Sequence, residues 1–166
     1  AVVTTANGCT DTTATYTTTL FADPDTSVTA NGSLSFCSGS SVTLTAASGQ
    51  SYLWSTGDTT QSITSSQSGT YYAVVTTANG CTDTTATYTT TLFADPDTTV
   101  TATQTLFCAS DSATISAASG YDYLWNTGDT TQSITVNTTG GYYVTLTSTD
   151  GCMATTDTTM ITVVPD

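Results

Sequence analysis

The chain of 166 residues contains no lysine, no arginine and no histidine. Its 13 acidic residues are all aspartate, so glutamate is missing too, and the formal charge is −13. Each absence excludes something. Without cations there is no basic patch to neutralise phosphates, which rules out nucleic-acid partners. An anionic membrane surface would repel such a chain, and no apolar run is long enough to span a bilayer, so direct membrane insertion is not expected. Ion pairs between side chains cannot form. Without imidazole or amine side chains, most general acid–base and nucleophile-activating arrangements are out of reach, and the chain does not read as an enzyme. An initiator methionine and a leader-like segment are also missing, so the chain reads as a mature or excised segment.

What is present points to β-structure. Threonine contributes 47 residues and serine 19, while the 37% apolar fraction includes nine Tyr, two Trp and four Phe. Threonine is β-branched and polar, which suits the wet face of a strand. Five cysteines in a Lys-free, Thr-rich chain fit an oxidising compartment better than the cytosol.

The sequence repeats itself. Residues 1–26 are identical to residues 73–98, and SYLWSTGDTTQSIT at 51–64 returns as YLWNTGDTTQSIT within 121–135. The period is about 70 residues, a signature of a repeat array. The only prolines, Pro24, Pro96 and Pro165, fall at one phase of it and mark repeat boundaries. The expected organisation is a partial repeat at 1–24, carrying C-terminal strands, and whole repeats at 25–96 and 97–166. Because it starts inside a strand, the chain reads as a window of a longer array. A rival reading has the N-terminal hairpin completing a neighbouring subunit by strand addition.

Period-2 alternation locates the strands. Val42, Leu44 and Ala46 share a face, as do Ala113, Ile115 and Ala117 in the next repeat. Tyr52 with Trp54, and Tyr123 with Trp125, mark a second strand, and Ile63 and Ile134 a third. Tyr71, Ala73 and Val75 correspond to Tyr142, Val144 and Leu146, read as one further inward-facing run. Ala78-Asn79-Gly80 and Asp150-Gly151 are hairpin turns, with Asn-Gly suited to type I′. Ser55–Asp58 and Asn126–Asp129 are further turns. About seven short antiparallel strands per repeat, with no helical periodicity, predict an all-β class of tandem immunoglobulin-like β-sandwiches.

Three groups of residues are candidate sites. Cys37 and Cys81 are 44 apart, as are Cys108 and Cys152, so the simplest pairing is one disulfide per repeat, with Cys9 left over. Spacing does not decide it. In an immunoglobulin topology the two cysteines of one repeat sit at opposite ends of a sandwich, roughly 20 Å apart, whereas a disulfide needs Cα atoms within about 7 Å. A bridge between adjacent repeats is therefore the alternative. Asp23, Asp25, Asp95 and Asp97 flank the boundary prolines and offer calcium a site at the junctions, the plainer alternative being solvated linker acids; no other cofactor is expected. Tyr72, Tyr143 and Tyr88 are placed on outer faces, where rings could stack on sugars or cover surface between repeats.

Cys37-Ser-Gly-Ser-Ser-Val-Thr-Leu-Thr, Tyr52-Leu-Trp-Ser-Thr-Gly-Asp-Thr-Thr-Gln-Ser-Ile-Thr, Ser68-Gly-Thr-Tyr and Asn79-Gly-Cys81 together resemble the immunoglobulin-like and PKD-like repeats of Bacteroidota cell-surface proteins, including large gliding-type adhesins. The resemblance covers both full repeats and the partial one. It implies tandem sandwiches, secretion, and adhesion or filament formation at the cell surface. A C-terminal sorting domain of the kind found in secreted members is not seen, which fits a segment of a longer protein. Gly69-Thr70-Tyr71 and Gly141-Tyr142 also resemble the tyrosine corner of immunoglobulin folds. Asp followed by Ser or Thr and then by an apolar residue or Thr resembles the O-glycosylation signal of the same bacteria, at Thr12, Thr59, Thr84, Thr98, Ser112, Thr130 and Thr158. Asn31 and Asn137 match the N-glycan acceptor pattern, which a bacterial source disfavours.

The function expected on these grounds is a structural repeat of an extracellular filament or surface adhesin. The alternative is a carbohydrate-binding or accessory module of a secreted enzyme. Partners would be further copies or adjacent repeats, with surface glycans a second class.

Overall fold

A computed structural model describes residues 1–165. Regular structure is entirely β, and among the described residues there is no helix long and apolar enough to cross a membrane. The N-terminal segment holds one hairpin, β1 (Val2–Thr4) paired with β2 (Thr10–Thr12). The first complete sandwich comprises β3 (Val28–Ala30), β4 (Ser35–Phe36), β5 (Val42–Ala46), β6 (Ser51–Trp54), β7 (Ser62–Ser65), β8 (Gly69–Tyr71), β9 (Ala73–Thr76), β10 (Thr82–Thr84) and β11 (Tyr88–Leu92). The second repeats the pattern as β12 (Val100–Ala102), β13 (Leu106–Cys108), β14 (Ala113–Ala117), β15 (Asp122–Trp125), β16 (Ser133–Val136), β17 (Gly140–Tyr142), β18 (Val144–Thr147), β19 (Met153–Thr155) and β20 (Thr159–Val164).

One layer of the first sandwich is the antiparallel sheet β3-β5-β7. The other layer is built from β10-β9-β6 and β4-β11-β8. These two pieces meet end to end, because β9 follows β8 and β11 follows β10, with β9 pairing β10 and β8 pairing β11. Counting β8 with β9 and β10 with β11 as single passes of the chain, the sandwich has seven passes, the immunoglobulin-like arrangement. The parallel pairing of β4 with β11, and of β13 with β20, closes one edge of this layer.

The alternation read from the sequence is the alternation of the core. In β5, Val42, Leu44 and Ala46 are buried while Thr43 and Thr45 face outward. The outward hydroxyls then meet across strands, Thr43 with Thr64 at 3.0 Å and Thr45 with Ser62 at 2.9 Å. Such cross-strand pairs contribute about 0.2–1 kcal/mol each, and they do so where ion pairs are ruled out by composition. Trp54 and Trp125 are fully buried, and each ring nitrogen donates to a backbone carbonyl, of Thr60 and Thr131, at 2.8 Å. Each tryptophan therefore fills its core without leaving a buried donor unpaired.

Three local readings differ from the sequence-based ones. The run from Tyr71 to Val75 is two strands: it changes partners at Tyr72, so β8 belongs with β11 and β9 with β6 and β10. A bulge in the facing pass explains the break. Thr85 donates its N–H to the Ala73 carbonyl at 2.9 Å, and its Oγ1 accepts from the Ala73 N–H at 3.0 Å, so one buried threonine serves both groups of the interrupted ladder. Thr156 does the same for Val144. Second, Asn79-Gly80 is not a type I′ turn. Type I′ needs positive φ at both central residues, and here Gly80 has φ 82° while no non-glycine residue has positive φ. Gly80 N–H instead donates to the Thr77 carbonyl at 3.0 Å, the pattern of a type I turn closed by a left-handed glycine. Third, Tyr88 does not lie on an outer face: it packs against the first core, and its hydroxyl donates to the Val28 carbonyl at 3.1 Å.

Candidate functional site: the junction between the sandwiches

The first sandwich ends at one pole. Strand β11 runs parallel to β4, and Phe93 N–H donates to the Phe36 carbonyl at 2.9 Å, so the chain leaves beside the residue that precedes Cys37. Cys37 opens a turn in which its carbonyl accepts from Ser40 N–H at 3.2 Å, with Gly39 at φ 81°. The second sandwich begins at its opposite pole. Asp97 N–H donates to the Tyr121 hydroxyl at 2.9 Å, and Ala118 N–H donates to the Thr99 carbonyl at 3.1 Å, fastening the incoming chain to the β14–β15 loop. The pairing of Asp122 with Thr147 sets the β18–β19 turn beside that loop. Within this turn Ser148 N–H donates to the Cys152 carbonyl at 2.8 Å, and Cys152 N–H to Ser148 Oγ at 3.1 Å.

These two poles are joined covalently. Cys37 and Cys152 form a disulfide with Cα atoms 5.5 Å apart, spanning a sequence separation of 115. Pairing within each repeat is therefore incorrect: Cys81 and Cys108, like Cys9, carry free thiols. The reason is the length of the sandwich. Cys37 sits beside the end of β11, whereas Cys81 immediately precedes β10, so a pass of about ten residues separates them, roughly 30 Å at 3.3 Å per residue. A disulfide tolerates about 7 Å. Repeat equivalence also assigns the free thiols: Cys9 and Cys81 occupy turns bonded like that of Cys152, closed by Thr5 and Thr77, and Cys108 stands where Cys37 does.

The junction aspartates do not converge. Asp25 Oδ1 accepts from Ser27 N–H at 2.8 Å, and Asp97 Oδ1 from Thr99 N–H at 2.9 Å, so each closes a tight turn that starts its repeat. The Ser27 amide, then the Ser27 hydroxyl, hold the Asp25 carboxyl below its ordinary value. Asp23 and Asp95 are exposed. Among the described residues no group of three or more His, Cys, Asp or Glu side chains gathers as a metal site would require. Between the aspartates, Pro24 and Pro96 are buried rather than solvated, which the sequence did not reveal.

The seven hydroxyls, Thr12, Thr59, Thr84, Thr98, Ser112, Thr130 and Thr158, are all exposed. So are Tyr72 and Tyr143. Tyr142 donates to the Thr138 carbonyl at 3.1 Å and Tyr71 meets Ser65 Oγ at 2.7 Å, upstream contacts of the tyrosine-corner kind. The sequence does not single out Thr85 and Thr156, whose role is to bond the interrupted ladders at Ala73 and Val144. Their signal was a Thr-Thr pair kept at the same offset in two repeats that otherwise diverge there.

No protein-family profile matches the chain, and no curated protein matches it. Solved structures to which it is similar include murine CEACAM1b, at 11% identity and TM-score 0.37, covering 79% of this chain and 96% of that one. A 1.5-MDa bacterial ice-binding adhesin is similar at 17% identity and TM-score 0.40, over 99% of this chain and 73% of that one. A third is the Bacteroides ovatus SGBP-B of a mixed-linkage glucan utilization locus, solved with a mixed-linkage heptasaccharide, at 15% identity and TM-score 0.28. There this chain is covered to 99% and spans about half of the other, 53%.

Proposed function

We propose that the chain is a tension-bearing segment of an extracellular filament or surface adhesin, in which successive sandwiches are held in tandem by disulfides across their junctions. The observation that carries this reading is the Cys37–Cys152 bond, which ties one sandwich to the next instead of stapling a single core. A bridge that joins units matters where units are pulled apart. Disulfides persist outside the reducing cytosol, which supports an extracellular location. The recurring motifs, the hydroxyl-paired outer faces and the lack of lysine, arginine and histidine support a passive, repetitive element.

The seven exposed hydroxyls are proposed as acceptors of an O-glycan coat, which would solubilise the array. An intact mass equal to the polypeptide mass would remove that part of the proposal. The main reading is tested by electron microscopy of the native producing cells with an antibody raised against the chain. Label running along extended surface fibres supports it. Label confined to soluble secreted material or to the cell interior overturns it.

A further inference from the structure

The turn that follows Cys37 shapes a hollow of about 470 Å³, lined wholly by residues of the first sandwich. One wall is the turn itself, Ser38 to Ser41, with Gly39 at φ 81° and the Ser40 N–H donating to the Cys37 carbonyl at 3.2 Å. The other wall is Ser66 and Gln67, from the connection between β7 and β8, and Leu92, at the end of β11. The backbone of this second wall is fixed. The Gln67 carbonyl accepts from Thr90 Oγ1 at 2.6 Å and from Ser65 Oγ at 3.0 Å, and Leu92 N–H donates to Ser68 Oγ at 2.8 Å. Its polar side chains are not engaged. Among the described residues none bonds to the hydroxyls of Ser38, Ser40, Ser41 and Ser66 or to the side-chain amide of Gln67. Ordered walls therefore hold five uncommitted polar groups around one space.

The chemistry of these groups selects the occupant. Hydroxyls and a carboxamide both donate and accept hydrogen bonds, and none of them is charged. An anion finds no side-chain cation anywhere in the chain, and no carboxylate lines the hollow to draw a cation. Leu92, the one large apolar side chain of the lining, offers a face for C–H groups. The volume lies within the range of small-ligand sites, about 300–1,000 Å³. We infer that the hollow is a binding subsite for one neutral sugar residue, held by Gln67 and the serine hydroxyls with its C–H face against Leu92. The second sandwich lacks the same groups. Ala109 stands in the place of Ser38 and Asp111 in that of Ser40, while Thr138, in the place of Gln67, is already bonded to the Tyr142 hydroxyl at 2.8 Å.

The inference stands apart from the proposed mechanical role, which requires no ligand, and is tested separately. The full chain is titrated with glucose, galactose, mannose and N-acetylglucosamine, each alone, and followed by NMR. At least one should shift the amides of Ser38 to Ser41 and of Gln67 saturably, while those of Ala109 to Ser112 and Thr138 stay in place. An open site that grips a single ring should give a dissociation constant on the order of millimolar. Gln67→Ala removes only an unbonded side chain and keeps the backbone bonds to Ser65 and Thr90, so Tm should be unchanged. The affinity of that variant should fall roughly fivefold or more, the loss of at least one hydrogen bond. No saturable shift with any of the four sugars, equal shifts in the second sandwich, or unchanged affinity in Gln67→Ala overturns the inference.

Discussion

Removing the Cys37–Cys152 bridge should lower stability by several kcal/mol, whereas removing either other cysteine of the complete repeats should not. The bridge closes a loop with a sequence separation of 115. Chain-entropy scaling with that length gives about 16 cal/mol/K of lost unfolded-state entropy, or about 4.8 kcal/mol at 25 °C. The logarithm makes this robust: if only one sandwich unfolds and the loop is effectively halved, the value falls by about 0.6 kcal/mol. For a unit of this size each kcal/mol moves the midpoint about 2–4 °C, so Cys37→Ser should lower Tm by about 10–20 °C. Thermal denaturation followed by circular dichroism, without reductant, is the assay. Cys37→Ser and Cys152→Ser should fall together, with Cys81→Ser and Cys108→Ser within about 2 °C of the parent. If Cys81→Ser is as destabilised as Cys37→Ser, the bond lies within the repeat and the reasoning fails. An unchanged Tm in Cys37→Ser would show that the bridge is not formed.

Other perturbations separate the remaining forces. Raising NaCl from low to molar concentration should raise Tm, because 13 aspartates face no side-chain cation and salt can screen only repulsion; a fall would contradict this. Thr85→Val leaves the buried Ala73 N–H without its side-chain acceptor and should cost about 1–3 kcal/mol in urea unfolding, with Thr156→Val the parallel case. A carboxyl whose folded pKa is depressed contributes stability above its unfolded value, lost as pH falls through the folded value. The Asp25 turn should therefore persist through mild acid and give way only below the ordinary 3.8, with NMR titration of Asp25 as the readout. Chelation by EDTA should leave Tm unchanged, since the junction carboxylates of Asp25 and Asp97 are engaged by Ser27 and Thr99; a drop would restore calcium to the junction.

Much of the fold could be read from the residues because burial and period coincide. The alternation of Val42, Leu44 and Ala46 with threonine states which face is wet, and the core tryptophans recur at one phase. What could not be read depends on partners rather than on pattern. Alternation continues unbroken from Tyr71 to Val75, so it hides a change of partner strand at Tyr72. Asn79-Gly80 favours one turn in isolation, but the loop closes from Thr77 and uses only the glycine's left-handed freedom. Tyr88 looks like an outward residue until the bulge at Thr85 shifts its register. The chemistry of the junction was not legible in the residues around Pro96. Equal cysteine spacing suits two connectivities, and only the distance between the poles of a sandwich chooses.

The same bond changes how the chain would lengthen under load. A pull applied to Ala1 and Asp166 travels along residues 1–37, across the sulfur–sulfur bond, and out along 152–166. The polypeptide between the two cysteines is shunted, and its slack, up to about 390 Å at 3.4 Å per residue, stays hidden while the bond holds. Reduction would place that reserve under load, to be drawn out as each sandwich unfolds. An extension trace of this chain is thus a gauge of the redox state of its surroundings.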